Sequence, residues 1–442
     1  MNYYLIGIKG SGMASLAHIL KDLGNEVSGS DIDQHIFLED DLRKRNIPIY
    51  SFNPDNLKEG MIVIKGNAFD DNHPEVLKAK ELKLTIYTYM DMLTKLIDSH
   101  YTICIAGTHG KTTTTGLVSQ VLMGKEATGY LIGDGHGQML MKSKNFVLES
   151  CEYQDHYLAY YPNIVLINNV EYDHVDYFKT VEQYIASFKE FASHAKDAVV
   201  INGDDEHCLK IPKKDNFYYF GQNDNNNFQA KNIILNEKGM EFDLYSDFNR
   251  TNKELVYHFK LNLYGIHILY NVLATIAIYT IKRNEEDYSF VEEQLNHFKG
   301  VARRFNIIEQ DSNVFIDDYA HHPTAIKLNI ETARQKYPYK KIIAFFKPDR
   351  YSRIFEFGED IAKALDEADD VYLFEFPETS KKEPGIDIDM NYVKQFSSKA
   401  KIINEDESSI HHFKDAKNTV FLMMSSKNVY DYSKNLMNYL RK

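Results

Sequence analysis

The chain has 442 residues, of which 43% are hydrophobic and 26% charged, a globular composition too long for one ordinary core. Its 51 lysines and arginines face 64 aspartates and glutamates, and the formal net charge of −13 excludes a general nucleic-acid or anionic-membrane binder, though not a local basic cleft. Cys104, Cys151 and Cys208 form no metal-spaced pair and read as reduced, buried thiols; the start Met1–Gly7 lacks signal-peptide character and no apolar run reaches membrane-spanning length, so the cytoplasm is the expected compartment.

Residues 1–97 alternate short apolar runs with helical patterns, which predicts a parallel sheet with crossover helices. Tyr3 to Ile8 reads as a buried strand, Gly7 to Met13 as a glycine turn and Ala14 to Leu23 as a helix. Val27 to Asp31 and Met61 to Gly66 are further strands. The turn is not the dinucleotide fingerprint, because Lys9 stands at its second glycine. Gly10, Ser11, Gly12, Met13 and the strand-ending Asp31 suit a nucleotide or nucleotide sugar. Equally, the glycines can serve only helix–strand packing.

Residues 98–299 open on the apolar run Tyr101 to Ile105, followed by Ala106-Gly107-Thr108-His109-Gly110-Lys111-Thr112-Thr113 and a helical pattern with Leu117, Val118, Val121 and Leu122. Strand, glycine turn, Lys-Thr and helix is the layout of a phosphate cradle. Backbone N–H groups close on the anion, lysine reaches the outer phosphates and the hydroxyl after it can ligate Mg²⁺. The form is shortened, since Ile105 stands where the full pattern has glycine. A plain strand-to-helix turn is the other reading. Two apolar strands follow, Asn145 to Glu149 and Asn163 to Asn169. Glu149, Asn169, Glu171, Asp173 and His174 gather at their ends, where carboxylate and imidazole can hold Mg²⁺, or where an acidic loop is merely solvated. Phe228 to Leu235, Met240 to Tyr245 and Leu255 to Leu261 alternate as β-strands. An apolar helix then runs through Ile281, with His267 and Asn271 on one face, placed to meet a base or to cap a buried helix.

Residues 300–442 form another open α/β sheet. Its strands are Val314 to Asp318, Ile342 to Phe346, Val371 to Phe374 and Val420 to Met424, and a helical pattern carries Ile354, Phe357, Ile361, Ala364, Leu365 and Ala368. Asp317-Asp318-Tyr319-Ala320-His321-His322-Pro323 and Lys347-Pro348-Asp349-Arg350-Tyr351-Ser352-Arg353 follow two of the strands, where open sheets collect ligands. Arg350 and Arg353 can jointly meet a carboxylate, or simply start a solvated helix.

These landmarks, in this order, resemble the Mur ligases, the ATP-dependent muramoyl ligases. The motifs that carry the resemblance are Gly7 to Met13 with Ser28 to Asp31, Ala106 to Thr115, Glu149, Asn169 to His174, Arg303-Arg304-Phe305 and Asp317 to Pro323. Among them the pattern is most similar to ligases that join L-alanine to UDP-N-acetylmuramate. The resemblance implies three α/β domains. They are an N-terminal Rossmann-like domain binding the UDP-sugar, a central P-loop ATPase-like domain binding ATP, and a C-terminal Rossmann-like domain binding the amino acid. It implies an acyl phosphate, formed from the muramate carboxylate and ATP and then attacked by the amine. Gly10, Ser11, Gly12, Met13 and Asp31 are then UDP-sugar residues. Gly107, Thr108, His109, Gly110, Lys111, Thr112, Thr113, His267 and Asn271 are ATP residues. Mg²⁺ or Mn²⁺ falls to Thr112, Glu149 and His174. Lys111, Glu149, His174 and Arg304 are the catalytic set, Arg304 steadying phosphate charge. Tyr319, His321, Asp349, Arg350 and Arg353 surround the amino acid. A monomer or weak homodimer is implied, with no nucleic-acid partner and no membrane insertion.

Three departures stand out. The family's His-Asn pair is His267-Ile268, its Gln-Pro-His is Lys347-Pro348-Asp349, and its Gly-Ala-Gly-Asp is replaced within Met424 to Asn428. The last two bear on amine identity, so a related ligase with another amine is the second reading. Retention of Lys111, Thr112, Glu149 and His174 together argues against a third, a silent UDP-sugar sensor.

Overall fold

The computed structural model describes residues 1–442 except Phe37, Ala302, Thr379, Lys381 and Lys442. The chain divides into two compact units that do not follow chain order. The first holds Met1–Glu171, Val181–Gln229 and Asn271–Phe298, and the second Tyr172–Thr180, Ala230–Tyr270 and Lys299–Lys442.

In the first unit, β1 (Asn2–Ile6), β2 (Glu26–Asp31), β3 (Ile49–Ser51), β4 (Ile62–Lys65) and β5 (Thr85–Thr88) pair in the order 3-2-1-4-5, all parallel. Helices α1 (Ser11–Asp22), α2 (Leu38–Lys44) and α3 (Pro74–Glu81) make crossovers, and α4 (Tyr89–Asp98) leads out of β5. Tyr3 to Ile6 of the central strand, with Val63 and Ile64 beside it, are buried on both faces, as parallel strands between helices must be.

The same unit carries β6 (Tyr101–Ala106), α5 (Lys111–Met123), β7 (Thr128–Leu131), β8 (Gly137–Gln138), β9 (Asn145–Glu149), β10 (Ile164–Ile167), α6 (Val181–Ser193), β11 (Ala198–Asn202) and β12 (Phe217–Gly221). Their order is 12-11-10-6-9-7-8, parallel except at the β7–β8 edge. Strand β6 is therefore central, and the turn that follows it opens at the carboxyl edge of the sheet, between β10 and β9. Strand β13 (Phe228–Asn236) is shared between the units, while β14 (Gly239–Ser246) and β15 (Glu254–Leu261) form an antiparallel pair in the second. The apolar helix is α7 (Ile266–Arg283), followed by α8 (Tyr288–Asn296).

The second unit's main sheet contains β16 (Asn306–Gln310), β17 (Asn313–Asp318), β18 (Lys341–Phe346), β19 (Asp370–Leu373), β20 (Ala400–Ile402) and β21 (Thr419–Met424), in the order 16-17-21-18-19-20. Only β16 is antiparallel. Its helices are α9 (Pro323–Lys336), α10 (Tyr351–Leu365), α11 (Asn391–Lys394), α12 (Glu407–Ile410) and α13 (Tyr430–Leu440). One face packs Ile316, Ala344 and Leu422 with Ile354 and Leu365; the other packs Phe315, Phe345 and Phe421 with Tyr432 and Leu436. Each such fully buried side chain contributes about 1.5–3 kcal/mol, so the alternation of Val420 to Met424 fixes the register of the centre strand.

Two expectations need correction. Cys104 and Cys208 are buried but Cys151 is exposed, because it lies in the turn after β9 rather than in the strand. The amphipathic helix of the last block starts at Tyr351 and ends at Leu365, earlier than its apolar spacing suggests. Among the described residues no helix is long and apolar enough to cross a membrane.

Candidate active site

The turn between β6 and α5 is built from its glycines outward. Gly110 caps α5 at φ +79°, a left-handed conformation that side chains resist, and a methyl group there would stand 2.7 Å from Asn271 Oδ1. Gly107 sits at φ +135°, with Asn168 Cβ 2.9 Å from where its own methyl would be. As a glycine, the cap offers the first-turn N–H groups no side chain, which leaves a positive helix end suited to an anion. The segment that follows β10 clamps the turn. Asn169 Oδ1 accepts from His109 N at 2.8 Å, its Nδ2 donates to His109 O at 3.1 Å, and Asn168 Nδ2 donates to Thr114 Oγ1 at 3.0 Å. Thr108 Oγ1 donates to Glu171 O at 2.7 Å, and Glu171 Oε2 meets His109 Nε2 at 2.9 Å.

Lys111 folds back over this turn. Its Nζ donates to the carbonyls of Gly107 and Thr108 and to both carboxylate oxygens of Glu152, at 3.2 and 2.9 Å. Burial works against its charge, but Glu152, Cys151 and Glu149 together overcome this and lift the ammonium above its ordinary value. Tyr184 Oη bonds both Thr108 Oγ1, at 2.9 Å, and Glu152, at 3.3 Å. At the second residue of α5, Thr112 Oγ1 donates to Glu149 Oε1 at 3.0 Å, and Glu149 Oε2 accepts from Gly133 N at 2.6 Å. Hydroxyl and carboxylate are hard oxygen donors of the kind Mg²⁺ takes. Thr113 completes the first turn, half-buried. Asn271 Nδ2, on α7, is a buried donor without a protein acceptor among the described residues, and its side chain lies against Gly110. An acceptor-rich anion over the turn fits that orphan and the glycine hollow together. His267, one turn earlier on α7, belongs to the second unit, as does His174, which has a left-handed backbone (φ +54°) next to Asp173.

In the N-terminal sheet, Gly10 caps α1 without a side-chain bond, Ser11 opens the helix, and Gly12 leaves room for Tyr89, whose hydroxyl would stand 2.6 Å from a methyl there. Met13 is buried beneath them. Asp31 is engaged by protein groups: Oδ2 accepts from Lys9 N at 2.7 Å and Oδ1 from Ile32 N at 2.8 Å. Lys9 is buried and pairs with Glu39 at 2.6 Å. The acidic strand end thus holds the glycine turn closed onto β2.

In the second unit the carboxyl ends of β17, β21 and β18 adjoin. Asp318 ties two turns together by accepting from Phe305 N and Ala320 N, each at 2.7 Å. This sets Arg304 over the Tyr319 ring, 4.8 Å from its centroid, while Arg303 donates to the Ser425 and Lys427 carbonyls at 2.7 and 2.8 Å. Burial raises the neighbouring Asp317 carboxyl to about 6 against the pull of Arg303. Arg353, on the first turn of α10, is enclosed by carboxylates. Nη1 donates to both oxygens of Asp349 at 2.9 and 2.7 Å, and Nη2 and Nε donate to Asp173 at 3.1–3.4 Å. Asp349 also accepts from Ser426 Oγ at 2.9 Å. Burial would raise the Asp349 carboxyl, but Arg353 and His321 outweigh it and bring it down to about 2. Burial, reinforced by Arg353, lowers His321 to about 3, so its ring is neutral at pH 7. Its Nδ1 lies 2.8 Å from Tyr319 O. Arg350 donates to Asp176 at 3.0 Å.

The structure therefore gathers Gly107 to Thr113, Glu149 and Asn271 around one turn, and Arg304, Tyr319, His321, Asp349, Arg350 and Arg353 at one sheet edge. Sequence reasoning missed Glu152, Asn168 and Ser426. Only Glu152 left a signal, a second carboxylate three residues after Glu149.

Comparison with known proteins points to one family. Residues 2–101 match the model described as Mur ligase family, catalytic domain; residues 105–279 match the Mur ligase middle domain; residues 303–426 match the Mur ligase glutamate ligase domain. The fold is similar to that of UDP-N-acetylmuramate-alanine ligase MurC from Thermotoga maritima, with a TM-score of 0.83 and 25% identity, covering 99% of this chain and 98% of that one. It is also similar to the UDP-N-acetylmuramate:L-alanyl-gamma-D-glutamyl-meso-diaminopimelate ligase of Neisseria meningitides, with a TM-score of 0.58 and 26% identity over 68% of this chain and 99% of that one. MurF ligase from Thermotoga maritima, solved with ADP, shares the fold at a TM-score of 0.65 and 21% identity, over 88% and 96%. The protein belongs to the Mur ligase family, with that family's three α/β domains, and is an ATP-dependent amide-bond ligase.

Proposed function

We propose that the protein joins an amine, L-alanine in the first of two readings, to the carboxylate of UDP-N-acetylmuramate in a cytoplasmic step of peptidoglycan synthesis. The observation that carries the reading is the Lys111 turn, where a buried ammonium, an uncapped helix end and the Thr112–Glu149 pair converge at one sheet edge. A carboxylate is a poor electrophile. Transfer of the γ-phosphoryl group of ATP to its oxygen releases ADP and gives an acyl phosphate. The amine nitrogen then bonds the carbonyl carbon, loses a proton, and the C–O bond to phosphate breaks, leaving an amide. In such transfers the protein acts by positioning and by spreading charge. Lys111 would neutralise the outer phosphates, Asn271 would donate to them, and the family resemblance gives His109 the acyl-phosphate side and Arg304 the steadying of phosphate charge. Thr112, Glu149 and His174 would hold Mg²⁺, which when bound offsets phosphate charge. Gly10 to Met13 would receive the UDP-sugar.

A second reading, the same chemistry with another amine, is favoured by one observation: Arg353, a candidate for the amino acid carboxylate, is already held by Asp349 and Asp173. The test is purified protein with UDP-N-acetylmuramate, Mg²⁺–ATP and single amines, following phosphate release and product mass. An adduct with L-alanine alone supports the first reading. An adduct with a different amine supports the second, and UDP-sugar binding without phosphate release overturns both.

A further inference from the structure

The charges at the Arg353 edge do not suit an incoming carboxylate. The guanidinium presents its donors as a planar fork, and both sides of that fork are taken, one by Asp349 and one by Asp173. Its side chain is only 5% exposed, and those of its two carboxylate partners 8% and 10%. His321 adds no positive charge at neutral pH. Two carboxylates against one guanidinium leave a net negative charge in a dry setting. Arg350, the other arginine of this edge, faces Asp176. A free α-carboxylate entering here must take Arg353 from Asp349, which strands a buried carboxylate that, among the described residues, keeps the Ser426 hydroxyl as its hydrogen-bond donor. An amine whose neighbouring carboxyl is already an amide or ester brings no anion and displaces nothing.

We infer that Asp349 is a specificity-determining residue that turns this site toward amines whose α-carboxyl is masked, such as an amino-acid amide or a peptide amino terminus, and away from free α-amino acids. The inference rests on the ligase reading above and takes its second branch.

The test uses the full chain with UDP-N-acetylmuramate and Mg²⁺–ATP. Hydroxylamine first traps the acyl phosphate as a hydroxamate. If none forms, the ligase reading itself falls, and this inference with it. With hydroxamate established, kcat/KM is measured for L-alaninamide and L-alanine at equal concentrations of unprotonated amine, which removes their difference in basicity. The wild type should favour the amide by about tenfold or more, with the difference mainly in KM. Asp349→Asn and Asp349→His, each checked for a cooperative thermal transition above the assay temperature, should both reduce that ratio by about tenfold by lowering KM for L-alanine. A merely structural aspartate would move both acceptors together. Hydroxamate formation with wild-type preference for L-alanine, or with one unchanged ratio in the wild type and the folded variants, overturns the proposal.

Discussion

Lys111→Ala is the obvious variant for a phosphate-loop lysine, and here it should do more than remove turnover. The Lys111 side chain is 13% exposed and that of Glu152 is 1% exposed, with the charges 2.9 Å apart. Truncating the lysine takes the ammonium away from a Glu152 carboxylate that stays buried, with the Tyr184 hydroxyl 3.3 Å away. Breaking a buried pair from one side costs about 3–5 kcal/mol, much more than the pair's net contribution, because the remaining charge is uncompensated. For a unit of this size each kcal/mol moves the midpoint by about 2–4 °C, so Lys111→Ala should lower the first unit's thermal transition by about 6 °C or more. Adding Glu152→Gln removes the stranded charge and should restore at least half of that loss. The assay is a double-mutant cycle by thermal unfolding, with phosphate release measured alongside. Both lysine variants should be inactive, since no ammonium remains for the phosphates. Equal midpoints for the single and double variants would refute the claim that Glu152 depends on Lys111.

Gly110→Ala should abolish detectable ATP binding by calorimetry and cost about 1–3 kcal/mol in stability, because it forces a methyl into a left-handed backbone 2.7 Å from Asn271 Oδ1. Glu149→Gln should raise the Mg²⁺ concentration for half-maximal turnover by about tenfold or more, read from phosphate release against Mg²⁺. Asp349, lowered from 3.8 to about 2, contributes stability that is present above about pH 4 and is lost as the pH falls toward 2. Urea unfolding should accordingly show Asp349→Asn less stable than wild type by about 2 kcal/mol at pH 7, with the gap closing near pH 2; a gap independent of pH would count against the pairing.

What the sequence revealed follows from what is local. The apolar runs Ile342 to Phe346 and Val420 to Met424 are legible because a strand buried on both faces needs continuous hydrophobicity, and every residue of both runs is buried. The Lys111 turn is legible because its glycines are demanded by backbone geometry. Short edge strands such as Ile49–Ser51, Gly137–Gln138 and Ala400–Ile402 were not, since too few of their residues pack to leave a period. Partners distant along the chain were hidden as well. Nothing in Asp349-Arg350-Tyr351-Ser352-Arg353 tells that Asp173, 180 residues away, takes the other side of Arg353. The assignment of Tyr172–Thr180 and Ala230–Tyr270 to the same unit as the C-terminal block is likewise a property of packing.

The same geometry fixes how nucleotide and metal must depend on one another. At the turn, Glu149 and Glu152 set two carboxylates against the single ammonium of Lys111. A nucleotide polyphosphate alone therefore meets a helix end and one cation, but also a net negative rim, and each like charge within about 8 Å opposes it by roughly 2 kcal/mol at an effective dielectric near 20. On the proposed reading a divalent cation held by Thr112 and Glu149 is thus a condition of tight nucleotide binding as well as of turnover. Calorimetry should show ADP binding at least about a hundredfold weaker in EDTA than in Mg²⁺. In EDTA, Glu152→Gln should bind ADP about tenfold more tightly than wild type, because one opposing charge is gone while Lys111 is released to the phosphates. If metal-free affinity were instead the same in the wild type and Glu152→Gln, the rim would not govern the nucleotide, and the helix end and Lys111 alone would account for its binding.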